Sequence, residues 1–153
     1  MVAKIVEVLA ILRERLIKHE GLRLKPYLDS RGLFTIGVGR CLDRKGISED
    51  EAYYLLQNDM VECVRLVKEK LPWAWGLDNE RFSVLAEMGF QLGIDGLLLF
   101  KEFIAYLEVG DYDKAAAEML NSKWAQEDSP RRALALFEIM RLKDTEKGGG
   151  EYV

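Results

Sequence analysis

The chain has one histidine, two cysteines and three prolines in 153 residues. With His19 alone, and with Cys41 and Cys63 forming no C-x-x-C pair, a closed Cys/His zinc site cannot be assembled. Neither a metal nor an organic cofactor is implied. Long apolar runs are also missing. The first apolar stretch is broken by Glu7 and followed at once by Arg13 and Glu14. It is too short and too charged for a transmembrane helix or a secretory signal, so no stable membrane insertion is expected. Positive charge is in deficit: 22 Lys and Arg against 26 Asp and Glu give a net charge of −4. That argues against a dedicated nucleic-acid binder, whose electrostatic footprint is basic. What the chain does have is apolar side chain, 49% of residues, enough to build the core of one domain or of two small lobes sharing it.

Charge is unevenly spread. Residues 1–45 balance to +5 and residues 46–153 to −9. A basic front third can attract an anionic polymer locally, although a solvated charged face explains the same count.

Periodicity divides the chain. Ile5, Val8, Leu9, Leu12 and Leu16 recur at helical spacing and predict a helix over 2–20, stopped by Gly21. Leu22 to Gly39 changes period, with Pro26, the turn-like Asp29-Ser30-Arg31-Gly32 and the run Leu33 to Ile36. This reads as a hairpin or a three-stranded antiparallel sheet. Gly37 and Gly39 flank Val38 and imply sharp bends or a close approach. Ser48 to Glu51 is a capping box that opens a long helix ending before Pro72. Asp59 lies in that helix's apolar stripe and needs a partner. Shorter helices follow, from Asp78 or Asn79 to Leu92 before Gly93, from about Leu98 to Glu108, after Asp111, and after an Ser129 N-cap with Pro130 at the first turn. Trp73 and Trp75 are expected to pack on the next helix. Lys147 to Val153 reads as a flexible tail. The class is α+β, mostly helical with a small sheet near the front.

The chemistry points to Glu20 through Arg40. Glu20 closes a helix, whose C-terminal dipole disfavours the ionised carboxylate, as suits a general acid. Asp29, nine residues on in a solvent-reached turn, should stay ionised. Two carboxyl groups in unlike settings are the working parts of a glycoside hydrolase. Thr35 on the sheet could hydrogen-bond a water or carboxylate beside them. Spacing alone leaves these as ordinary surface residues.

The residues themselves carry more. His19-Glu20-Gly21-Leu22-Arg23-Leu24, Tyr27-Leu28-Asp29 and Phe34-Thr35-Ile36-Gly37-Val38-Gly39 closely resemble the active-site region of the T-even phage lysozymes, muramidases of glycoside hydrolase family 24. The family's Glu, eight residues, Asp, five residues, Thr is matched. Gly46 to Met60, Phe90-Gln91-Leu92-Gly93, Ser122-Lys123-Trp124 and Pro130-Arg131-Arg132-Ala133 extend the resemblance over most of the chain. The resemblance implies one two-lobed lysozyme-like domain over 1–153. A sheet-bearing lobe at about 20–47, an interlobe helix at about 48–71 and a helical lobe at about 72–146 would precede the tail. Glu20 would be the acid, with Asp29 and Thr35 placing the attacking water, and no metal taking part. The bond would be the β-1,4 link between N-acetylmuramic acid and N-acetylglucosamine, cleaved with inversion, which sets the carboxyl groups roughly 6.5–9.5 Å apart. Gly39, Gln91, Trp124 and Arg132 would line the substrate cleft, and Arg132, or Arg131, would pair with Glu20.

By the same resemblance the protein would be a monomer acting on bacterial peptidoglycan. It would be held in the host cytoplasm until a holin-type lesion admits it to the wall. A non-catalytic wall-binding or phage structural relative, or a lytic transglycosylase on the same bond, would share the fold. The family's histidine after Gly-x-Gly is here Arg40, and Asp59 occupies the matching partner position, so an Arg40–Asp59 ion pair is expected.

Overall fold

A computed structural model describes residues 1–142; the expected tail at 147–153 lies outside the described residues. The chain separates into two compact units, Met1–Tyr54 and Leu55–Val153.

The first unit opens with helix α1, Val2–Glu20. Gly21 ends it with φ of 76°, its N–H donating to the Ile17 carbonyl. The apolar side chains at Ile5, Val8, Leu9, Leu12 and Leu16 form the expected stripe, which the sheet of this unit leaves uncovered. Three antiparallel strands follow, β1 Arg23–Leu28, β2 Phe34–Gly37 and β3 Arg40–Cys41, in that spatial order. Tyr27 and Leu28 pair with Thr35 and Phe34, while an irregularity separates that register from Arg23 opposite Gly37. Pro26 sits inside the irregular stretch of an edge strand, where a missing N–H costs no ladder bond. Thr35 and Ile36 pair with Cys41 and Arg40 across the second turn. The capping box forms as read: Glu51 N–H donates to Ser48 Oγ at 3.2 Å and Ser48 N–H to Glu51 Oε2 at 2.7 Å. It starts helix α2, Glu49–Lys70.

The second unit holds the core. After α2 and a 3-10 turn at Pro72–Gly76 come α3 Asn79–Leu98, α4 Lys101–Glu108, α5 Tyr112–Leu120, a π-helical turn at Trp124–Asp128 and α6 Pro130–Arg141. Asp78 caps α3 through Arg81 N–H, and Asp111 caps α5 through Lys114 N–H. Gly93 has φ of 74° and breaks α3, but helix resumes beyond it to Leu98. The expected stop is there: Gly93 leaves the helical conformation and separates two helices, the second of which runs to Leu98. Leu85, Met88, Leu97, Phe103, Leu107, Met119 and Met140 are fully buried there. Trp75 meets Phe82 edge-on at 5.1 Å, as its place before α3 suggested.

One core residue was not foreseen. Arg81 is buried on the apolar side of α3, where it pairs with Asp78, donates to the Met140 and Leu142 carbonyls and stacks on Tyr112. A charge in this setting needs its full set of partners. The local Asp78-x-x-Arg81 spacing was the only signal for it.

Candidate active site

Glu20 is the last residue of α1 and is exposed. Within its own unit no group hydrogen-bonds the carboxyl. Its neighbour is the backbone of Gly39: a Cβ added there would lie 2.8 Å from Glu20 Cδ and Oε2. Gly39 has φ of 69°, which the turn requires of a glycine, and a Cβ there would make the Glu20 carboxyl shift from where it rests. Gly39, expected in the cleft, is thus the surface on which the Glu20 carboxyl lies.

Asp29 heads the turn between β1 and β2. Its Oδ1 accepts the N–H groups of Arg31 at 2.8 Å and Leu33 at 3.0 Å, and its Oδ2 faces Arg31 Nη2 at 3.2 Å. The Leu33 N–H holds this carboxyl below its ordinary value against an opposing push from burial, and Arg31 adds to the lowering. Asp29 is therefore ionised, as its turn position implied. Oδ1 builds the turn, and Oδ2, which accepts only from Arg31, has a further lone pair for a water. Thr35 is buried on the central strand, and its hydroxyl donates to the Leu33 carbonyl at 3.1 Å. Its hydrogen is engaged in the turn that carries Asp29, so only its oxygen can accept a bond from elsewhere.

Arg40 forms an ion pair inside its own unit. Its Nη1 and Nη2 donate to Glu51 Oε2 at 2.8 Å and Oε1 at 2.7 Å, and Nη1 also reaches the Gly46 carbonyl at 3.1 Å. Within this unit the partner is Glu51; Asp59, the expected partner, lies in the second unit. Glu51 stands at the third helical position, turned back by the capping box toward the loop that Arg40 enters. Asp59 is exposed. The guanidinium pulls the Glu51 pKa from 4.5 to about 2, the Ser48 N–H assisting, while Glu51 raises that of Arg40. Glu51 was read from the sequence only as a cap. Its second bond was hidden because a capping glutamate satisfies that motif without any partner.

The other expected cleft residues are in the second unit, where two of them hold it together. Trp124 is 3% exposed and donates through Nε1 to Gln91 Oε1 at 2.9 Å, and Gln91 Nε2 donates to Ser129 Oγ at 2.6 Å. Phe100 meets the Trp124 ring edge-on at 5.9 Å. Trp124 is thus core, and both ends of the Gln91 amide are engaged. Ser129 is the N-cap residue of α6 with Pro130 at its first turn, as read, but its hydroxyl accepts from Gln91 and makes no side-chain cap bond. Arg132, expected to serve Glu20, has its Nε 3.4 Å from Glu87 Oε1 in an exposed pair. Arg131 is exposed at the start of α6. Cys41 and Cys63 are free thiols, and burial pushes the Cys63 thiol up. Among the described residues no three His, Cys, Asp or Glu side chains gather as a metal ion would require.

The chain's likeness to known proteins runs along both units. A "Probable T4-type lysozyme 2" from Dictyostelium discoideum is 27% identical over 87% of this chain and 96% of its own. An "Endolysin" from Acyrthosiphon pisum secondary endosymbiont phage 1 is 24% identical over 85% of this chain and 88% of its own. The "Pre-baseplate central spike protein Gp5" of Enterobacteria phage T4 is 27% identical over 84% of this chain but only 27% of that protein. The sequence pattern that defines the phage lysozymes matches residues 17–137, from the end of α1 to α6, and takes in Glu20, Asp29, Thr35 and the Gln91–Trp124 contact alike. The mostly helical chain with its small antiparallel sheet has the T4 lysozyme-like fold, and it belongs to the phage lysozyme family.

Proposed function

We propose that the protein is a peptidoglycan hydrolase that cleaves the β-1,4 bond between N-acetylmuramic acid and N-acetylglucosamine. One observation carries the reading: a single unit holds two carboxyl groups in opposite settings. Glu20 is exposed and unengaged within that unit, lying on the bare Cα of Gly39, whereas Asp29 accepts three hydrogen bonds that keep it ionised. Glu20 donates its proton to the glycosidic oxygen as the bond to the anomeric carbon breaks. A water attacks that carbon from the opposite face and gives its proton to Asp29 Oδ2, so the configuration inverts. Thr35 offers its oxygen to the same water. Family membership and the named relatives support the substrate class.

In this reading the protein acts as a monomer on the bacterial wall. It is released from the host cytoplasm through a holin-type lesion to bring about host lysis, and it is antibacterial when applied to exposed wall.

Digestion of purified Gram-negative peptidoglycan, with mass spectrometry of the new ends and proton NMR of the first product anomer, tests the mechanism. Reducing N-acetylmuramic acid formed as the inverted anomer is expected. Anhydro ends would make it a transglycosylase. Binding without cleavage would make it a wall-binding relative.

A further inference from the structure

The contact between Glu20 and Gly39 needs something to hold the turn in place. The ladder that carries Gly39 ends in a strand of two residues, Arg40–Cys41, paired only with Thr35 and Ile36. So short an edge strand restrains little by itself. Arg40 follows Gly39 directly, one rigid peptide of about 3.8 Å away. Its guanidinium forms a two-point fork with Glu51 and also takes the Gly46 carbonyl. Glu51 in turn accepts Ser48 N–H. One carboxylate therefore ties β3, the loop after it and the first turn of α2 to a single point. Bidentate geometry fixes direction as well as distance, which a lysine could not do.

We propose that Arg40 and Glu51 are positioning residues for Glu20, acting through the backbone of Gly39. The pair sets how far the β2–β3 turn stands from the end of α1, and so where the Glu20 carboxyl rests. In its consequence for turnover this rests on the hydrolase reading, but the positional claim itself can be measured without substrate.

Two variants separate it from a purely structural role. Arg40→Gln removes the fork, and Glu51→Gln removes the charge while leaving an oxygen for Ser48 N–H. The full chain, labelled with 15N, is titrated by NMR, following the Gly39 amide as Glu20 ionises, with Glu20→Gln to identify that response. In the wild type the Gly39 amide should move with the Glu20 titration. Both variants, folded by circular dichroism, should lose about half or more of that response. Their kcat on peptidoglycan should fall about tenfold with KM nearly unchanged, as a displaced catalytic group requires. The double variant should be no worse than either single one, because both break the same contact. A full Gly39 response in both variants overturns the proposal even if turnover is normal in the wild type. A lost response in a wild type-folded protein that cleaves nothing would uphold the positioning and overturn the hydrolase reading instead.

Discussion

The two units are built by different means. Every buried hydrophobic residue among the described residues lies between Val67 and Met140, in the second unit. In the first, Thr35 alone is buried, and order comes from polar contacts: Asp29 to the N–H groups of its turn, Asp43 to Phe34 N–H, and Arg40 to Glu51. The proposed acid and base are both in this polar unit. A carboxyl that must exchange protons with substrate and water cannot be sealed in a hydrophobic core, whereas hydrogen bonds can fix it and leave it wet. The second unit supplies what the first lacks, a packed core in which even a charged Arg81 is fully partnered.

That contrast predicts that stability and turnover respond to different substitutions. Leu85→Ala empties a fully buried site in the second unit and should cost about 3 kcal/mol by urea unfolding, with turnover per folded molecule unchanged. Gly39→Ala should do the reverse. Its Cβ would meet the Glu20 carboxyl at 2.8 Å, so turnover should fall by about tenfold or more. The strained φ should lower stability by only about 1 kcal/mol. Trp124→Phe, read by thermal unfolding, should cost about 1 kcal/mol by leaving Gln91 Oε1 without its donor. A large loss of substrate affinity in that variant would instead return Trp124 to the cleft.

The smallest effect concerns pH. Glu51 has its folded pKa depressed to about 2 from 4.5, so its contribution is complete above 4.5 and is lost as pH falls from there through about 2. Asp29, also lowered, contributes with the same sign. The urea midpoint should therefore fall across this window, and Glu51→Gln should fall less steeply than the wild type. Equal slopes would mean that the Arg40–Glu51 pair is not formed in solution.

Much of this was legible in the sequence where the signal is local. The capping box at Ser48, the stop at Gly21, the Asp78 and Asp111 caps and the spacing of Glu20, Asp29 and Thr35 all depend on residues a few places apart. What was misread depends on competition between partners. Arg40 was matched only with Asp59, and its bonds to Glu51 follow from a capping geometry that turns that carboxylate back toward the loop. Ser129 takes the N-cap position that was read for it, but Gln91, 38 residues away, takes up its hydroxyl in place of a cap bond. Trp124 was expected to line the cleft, and its burial and its bond to Gln91 place it in the core of the second unit. Arg81 was passed over because its carbonyl partners on Met140 and Leu142 come from the far end of the chain.

The central claim is that the polar unit carries the chemistry without carrying the core. The most direct test is Glu20→Gln, with peptidoglycan turnover and thermal midpoint measured on the same preparation. The account predicts turnover lower by about a hundredfold or more at an unchanged midpoint, because Glu20 is exposed and no group of its own unit hydrogen-bonds its carboxyl. Turnover close to that of the wild type, or a loss that merely follows a fall in the midpoint, would contradict it.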